Sequence, residues 1–263
     1  MLGFIGCGAM GGAICKGVCK SGVLKPTDVC IYDPATQKTS AIEQEYGACQ
    51  FLDCGEMIAK CDMLVLAVKP NMVRKVLDSY REDLAGKAVL SIVAGWSTQQ
   101  LSDELDRSSR VLCVMPNTAA LVGEALTAFS NSTSFTASER ERAEALFRAV
   151  GKVVWVEEKQ LSGVIGVSGS GPAYAYMFLE ALADGGVEAG LTRVQATEMA
   201  AQMMIGAAKM VLESGMHPEA LKDMVCSPGG TTIAAVHALE RCGFRGAVMD
   251  AVQAAAKKAG ELN

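Results

Sequence analysis

Apolar positions in the first half of the chain come in short unbroken runs, and between them lie longer stretches in which apolar residues recur at helical spacing. "LGFI" (2–5), "DVCIY" (28–32), "DMLVLAV" (62–68), "AVLSIVAG" (88–95), "RVLCVMP" (110–116) and "KVVWVE" (152–157) read as strands. Helical patterns fall over 12–21 and near Glu43, Val73, Gln99 and Glu141. Near-continuous apolar strands alternating with helices predict a parallel sheet buried on both faces. From about Leu161 the strand-like runs stop, and "GPAYAYMFLEALADGGVEAG", "RVQATEMAAQMMIGAAKMVLES", "TTIAAVHALERCG" and "FRGAVMDAVQAAAKKAGEL" all read as helices. The pattern therefore predicts two domains, an α/β domain over 1–157 and an all-α domain over 158–263.

The Ala- and Met-rich helices of the second half carry Met199, Met203, Met204 and Met210 on more than one face. A helix apolar around much of its circumference needs cover from several sides, so association of subunits is expected.

The glycines at the start have a chemical reading. "GCGAMG" puts Gly6, Gly8 and Gly11 in G-x-G-x-x-G register directly after the first strand and before a helix. Gly6 permits a tight turn, Gly8 lets backbone approach a pyrophosphate, Gly11 lets helix and strand pack closely, and the helix start offers free N–H groups to phosphate. Asp33 follows the second strand, 22 residues after Gly11, where an acid would hold a ribose 2′-hydroxyl. It would repel a 2′-phosphate, and the residues after it offer Lys38 and no Arg, so the local physics favours NADH. A secretory leader is the poorer reading of this segment, because its first Lys follows the apolar part and five glycines interrupt it.

Three loops end the middle strands: "VKPN" at 68–71, "VAGW" at 93–96 and "MPNT" at 115–118. Ligands of open parallel sheets bind beyond the strands' carboxyl ends, so these loops are expected to converge on the nicotinamide end of the dinucleotide. In the helical half, "CSPGGTTIAAV" places Gly229, Gly230, Thr231 and Thr232 at a helix head, where backbone N–H groups and hydroxyls could receive a carboxylate.

Composition narrows the classes. With 263 residues, half of them hydrophobic, the chain can build its own cores. A net charge of −5 with scattered basic residues argues against nucleic acid. Its ten cysteines sit singly in apolar segments and there are only two histidines, which predicts buried thiols in a reducing cytoplasm and no metal site. The apolar runs fall far short of the roughly 20 residues a spanning helix needs, so no membrane segment is expected.

In order and spacing, the glycine turn, "LAVKP", "SIVAG", "MPNTAALVGEALT", "VSGSGPAYAYMFLEALADGGVEAGL" and "SPGGTTIAAVHALE" resemble the pyrroline-5-carboxylate reductases over essentially the whole chain. The resemblance implies a Rossmann domain followed by an all-α dimerisation domain, with helices exchanged between two protomers and often a ring of such dimers. It also implies hydride transfer from NAD(P)H to the C=N carbon of 1-pyrroline-5-carboxylate, giving L-proline. Carried over residue by residue, it places Gly6, Gly8, Ala9, Met10 and Gly11 at the pyrophosphate. Lys69, Pro70, Ala94, Gly95, Pro116 and Asn117 then fall in loops around ribose and nicotinamide, and Ser227, Gly229, Gly230 and Thr231 at the substrate carboxylate. Thr232 matches the hydroxyl partner of the substrate's ring nitrogen. The chain departs from the family pattern at Ala119, commonly Pro, and at Cys113, often Arg.

Reduction of a protonated imine neutralises a charge already present, so it needs no strong acid, and neither His217 nor His237 is expected to act. Two rival readings remain at this stage. One is a related reductase of another cyclic imine or a 3-hydroxy acid, the latter calling for a helical Lys that "GPAYAYMFLEALADGG" lacks; the other is a non-catalytic dinucleotide sensor.

Overall fold

The computed structural model describes residues 1–261; the last two residues of the expected second domain, 262 and 263, lie outside the described residues. Contacts divide the chain into two compact units, one of Met1–Ser170 joined by the end of the chain from Ala254, the other of Gly171–Gln253.

The first unit is an α/β sandwich around one eight-stranded sheet of order β3-β2-β1-β4-β5-β6-β7-β8. The strands are β1 (Leu2–Ile5), β2 (Val29–Tyr32), β3 (Cys49–Gln50), β4 (Met63–Leu66), β5 (Ala88–Ser91), β6 (Arg110–Met115), β7 (Ala125–Ser130) and β8 (Gly151–Val156). Helices α1 (Ala9–Ser21), α2 (Thr36–Tyr46), α3 (Cys54–Lys60), α4 (Val73–Tyr80), α5 (Thr98–Glu104) and α6 (Ala137–Arg148) connect them, and a short α7 (Leu161–Val164) runs into a π-helical turn over Ile165–Gly169. Strand order reverses between β2-β1 and β4, the topological switch at which doubly wound sheets bind ligands.

Six strands follow the apolar runs of the sequence. Two do not: β3 is only two residues at the sheet edge, and β7 lies between a glycine turn and the polar "SNSTS" segment. The sheet also departs from the all-parallel expectation, because β7 runs antiparallel to β6. The connection from Met115 to Ala125 holds only a 3₁₀ turn (Thr118–Val122), too short for the crossover a parallel neighbour needs.

Each face of the sheet carries a core. Phe4, Ile14, Val18, Phe129 and Phe147 lie in one, Met57, Ile58, Leu66, Leu77 and Leu101 in the other. Phe129 meets Phe147 and Trp155 edge-on at centroid distances of 5.4 and 5.1 Å, an arrangement the ring quadrupoles favour. Local sequence sets the helix starts. Ser97 with Gln100 and Thr136 with Glu139 form reciprocal capping boxes at α5 and α6.

The second unit is built from α8 (Gly171–Glu188), α9 (Arg193–Ser214), α10 (Pro218–Met224), α11 (Thr231–Arg241) and the start of α12 (Phe244–Gly260). Gly186 lets α8 approach α9 closely, since a Cβ there would lie 2.9 Å from that of Ala196. Phe178 meets Phe244 at 5.8 Å, and the Tyr174 hydroxyl donates to the Ala251 carbonyl at 3.3 Å. This unit leaves a large apolar surface open within one chain: Met177, Leu212 and Met249 are 67–70% exposed, and Met199, Met203 and Met210 about half exposed. Large apolar side chains left exposed in this number on a lone chain point to association. Among the described residues no helix is long and apolar enough to cross a membrane.

Candidate dinucleotide and substrate sites

β1 ends at Ile5 and the chain turns at once. Gly6 has φ +100°, and its N–H donates to the Tyr32 carbonyl at 2.8 Å; a side chain there would press a Cβ to 2.7 Å from the Ala67 carbonyl oxygen. Only glycine suits that backbone. Gly11 is confined differently: a Cβ would overlap the Gly6 carbonyl and stand 2.8 Å from the Ala67 Cβ. Gly8, the N-cap of α1, is the contrasting case, because a Cβ there would meet nothing within 4 Å. The space before α1 is open, and no side chain caps the helix.

The helix begins at Ala9, three residues earlier than the sequence pattern places it, which leaves the N–H groups of Ala9, Met10 and Gly11 in the first turn without intrahelical partners. Such a helix start is an anion site.

Asp33 follows β2 and is 7% exposed. One carboxylate oxygen accepts the Cys7 N–H at 2.9 Å, the other the Ala35 N–H at 2.9 Å, and the Lys38 ammonium lies 3.3 Å away. The carboxylate is thereby fixed to the glycine turn. Burial, with the neighbouring Asp33 charge, pushes the Cys7 thiol up to about 12, so it stays a neutral packing group.

Gly6, Gly8, Asp33, Lys38 and Lys69 line one cavity of about 540 Å³ at the carboxyl ends of β1, β2 and β4. Lys75, Met72 and Val76 also line it. These three were not read from the sequence; they line the cavity because the 3₁₀ turn over Pro70–Met72 and the start of α4 follow the end of β4.

The other expected loops sit at the carboxyl ends of β5 and β6 without lining that cavity. Pro70 and the Ala94–Gly95 turn are joined through Trp96, whose indole N–H donates to the Pro70 carbonyl at 3.4 Å while the Arg74 guanidinium lies 5.9 Å above its ring. Gly95 takes φ +80°. Pro116 is buried, and Asn117 donates to both the carbonyl and the hydroxyl of Ser168 in the π-helical turn, at 3.2 and 3.1 Å. The Asn117 Oδ1 is buried with no partner. Cys113, where the family pattern often has Arg, packs its thiol against the Trp96 carbonyl, and burial raises it to about 12.

In the second unit Gly229 has φ +66°, the Gly230 N–H donates to the Ser227 carbonyl at 3.0 Å, and Gly230 caps the 11-residue α11 without a side-chain bond. Thr231 is exposed and Thr232 half-buried at its first positions. The residues Ser227 to Thr232 are thus brought together as one turn and helix start. His217 instead caps α10, accepting the Glu219 N–H at 3.2 Å, and His237 lies exposed along α11.

A doubly wound sheet with this glycine turn, followed by a helical association unit, defines a dinucleotide-dependent oxidoreductase of the Rossmann type. Residues 158–262 match the family model for pyrroline-5-carboxylate reductase dimerisation, and residues 1–95 that for NADP oxidoreductase, coenzyme F420-dependent. The chain is 41% identical over 263 residues to pyrroline-5-carboxylate reductase of Escherichia coli K12, spanning 100% of this chain and 98% of that protein, and it belongs to that family. The Arabidopsis thaliana enzyme is 43% identical over 263 residues, spanning 100% of this chain and 95% of that one. Among solved structures, Coxiella burnetii pyrroline-5-carboxylate reductase superposes with a TM-score of 0.92 at 32% identity, covering 100% of this chain and 98% of that one. The Plasmodium falciparum enzyme with NADP bound gives 0.90 at 31%, covering 99% and 97%.

Proposed function

We propose that this chain reduces 1-pyrroline-5-carboxylate to L-proline with NAD(P)H. The observation that carries the reading is the pairing, in one member of this family, of an open glycine turn at the sheet switch point with an uncapped glycine-threonine helix start in the helical unit.

The glycine turn fits a dinucleotide: a Cβ at Gly8 would meet no atom within 4 Å, and no side chain caps the first-turn N–H groups of α1. When bound, the dinucleotide supplies the hydride. Ala9 and Met10 hold its pyrophosphate through backbone N–H groups, with Gly6, Gly8 and Gly11 allowing the approach, and Asp33 receives a ribose hydroxyl. The loops at Lys69–Pro70, Ala94–Gly95 and Pro116–Asn117 hold the nicotinamide half, the buried Asn117 Oδ1 being free to accept a hydrogen bond.

Ser227, Gly229, Gly230 and Thr231 hold the substrate carboxylate at the start of α11. Thr232 hydrogen-bonds the ring nitrogen and orients the C=N carbon. The hydride's electron pair forms the new C–H bond while the C=N π pair moves onto nitrogen, which changes from iminium to amine. No acid has to act at that moment, in keeping with a helix start that offers hydroxyls and N–H groups only.

The family match makes the chain a homo-oligomer. We propose a dimer with interleaved C-terminal helices, which covers the open Met and Leu surface, and a ring of such dimers beyond it. We also propose that residues 158–263 act as the substrate and dimerisation domain, with 1–157 holding the dinucleotide, and that the enzyme works in the cytoplasm. The test is NAD(P)H oxidation by the purified protein with 1-pyrroline-5-carboxylate, a 3-hydroxy acid's keto partner and a blank. Turnover confined to the imine with proline as product supports the reading; dinucleotide binding without turnover on any imine refutes it in favour of a sensor.

A further inference from the structure

The cavity beside the glycine turn holds one carboxylate, Asp33, and three ammonium groups, Lys38 from α2, Lys69 after β4 and Lys75 from α4. Asp33 and Lys38 differ sharply in freedom. Each Asp33 oxygen accepts a backbone N–H at 2.9 Å, from Cys7 and from Ala35, so the carboxylate cannot turn away from what enters. Lys38 lies 3.3 and 3.4 Å from the two oxygens, yet its side chain is 51% exposed and its four-carbon stem rotates freely.

A carboxylate has about four lone-pair sites. Two receive the N–H groups of the turn and Lys38 spans the other two at 3.3 and 3.4 Å, so a ribose 2′-hydroxyl that donates to one oxygen leaves Lys38 paired with the other. A 2′-phosphate offers no donor and sets close to two negative charges against a fixed one. It is accommodated only if Lys38 leaves Asp33 for the phosphate, and Asp33 is then buried without its counter-ion.

On the reading that this chain is a dinucleotide-dependent reductase, we propose that Asp33 and Lys38 together set its cofactor preference. Asp33 is the fixed filter that favours NADH, and Lys38 is the movable counter-charge that still admits NADPH. Asp33 has a second task, since it also anchors the glycine turn through Cys7. Replacing it weakens the hold on either dinucleotide, and the informative quantity is therefore the ratio of the two dissociation constants rather than either constant alone.

The test is equilibrium titration of NADH and NADPH, followed by calorimetry and by nucleotide fluorescence, at one fixed ionic strength, on the wild-type oligomer, Lys38→Met and Asp33→Ser. Lys38 is a surface residue of α2, so Lys38→Met reports even where Asp33→Ser folds poorly. The expected wild-type result is NADH bound about tenfold tighter than NADPH. Lys38→Met widens that ratio by a further factor of about ten, and Asp33→Ser closes or reverses it. Wild-type protein that binds NADPH as tightly as NADH overturns the proposal, as does a ratio unmoved by Lys38→Met, which would hand the phosphate to Lys69 and Lys75. Folded wild-type protein that binds neither dinucleotide overturns the reductase reading itself.

Discussion

The three glycines of the turn are alike in sequence and unlike in surroundings, so alanine at each has a different consequence. At Gly8 the backbone, φ −67° and ψ −168°, suits any residue, and a Cβ meets nothing within 4 Å. Gly8→Ala should leave stability within about 0.5 kcal/mol of wild type. The added methyl stands in the space that a pyrophosphate needs, and each charge-assisted N–H bond it displaces is worth about 1.5–3 kcal/mol, so NADH affinity should fall roughly 10- to 100-fold. At Gly11 the methyl overlaps the Gly6 carbonyl and stands 2.8 Å from the Ala67 Cβ, where carbon atoms normally rest at about 3.5–4.0 Å. Helix α1 must move off the sheet, and overpacking of this kind costs about 1–3 kcal/mol, partly offset by the roughly 1 kcal/mol that alanine gains over glycine inside a helix. Gly6→Ala adds a left-handed backbone to its clash and should cost the most. Urea unfolding at one protein concentration separates stability from NADH titration of the folded protein. Gly8→Ala binding NADH as wild type does, or unfolding as early as Gly11→Ala, would show that Gly8 does not face the pyrophosphate across open space.

Two further outcomes follow from the same geometry. Thr232→Ala should lower kcat/KM for 1-pyrroline-5-carboxylate about 10- to 100-fold while the NADH dissociation constant stays put, because one substrate hydrogen bond is lost and the nucleotide turn is untouched; a loss in NADH affinity instead would remove Thr232 from the substrate site. Burial raises the Asp62 carboxyl, but hydrogen bonds from Arg142 and the terminal amine more than reverse it and hold it at about 2. A depressed folded-state value stabilises above the unfolded one, near 4, and that stability is lost as pH falls toward 2. Asp62 is 60% exposed, so the contribution should stay under about 1 kcal/mol, and Asp62→Asn should flatten the acid limb of the stability profile without shifting the neutral plateau by more than that.

The strands that bury both faces announce themselves as unbroken apolar runs, and the glycine spacing announces the turn because Gly6 and Gly11 meet steric demands of the fold while Gly8 leaves open space before the helix. β7 was hidden because "ALTAFS" follows a glycine turn and its direction depends on the length of the link from β6, which hydrophobic pattern does not encode. Asp33 was legible as an acid in the right place; that one of its oxygens is already taken by the Cys7 N–H was not, since that N–H reaches it only when β1 and β2 pair, whereas the Ala35 bond is local to the turn. Lys75 came into view for a similar reason, because nothing local to "VRKVL" shows which cavity α4 overlies.

Hydride delivery to the C=N carbon of the cyclic imine is the defining step of the proposed reaction. The most direct measurement is mass and NMR analysis of the proline formed from unlabelled 1-pyrroline-5-carboxylate and NADH doubly deuterated at the nicotinamide C4. Delivery to that carbon gives L-proline carrying a single deuterium on the ring carbon that is bonded to nitrogen and remote from the carboxylate. Unlabelled proline, a label elsewhere on the ring, or no proline at all from folded protein would contradict it.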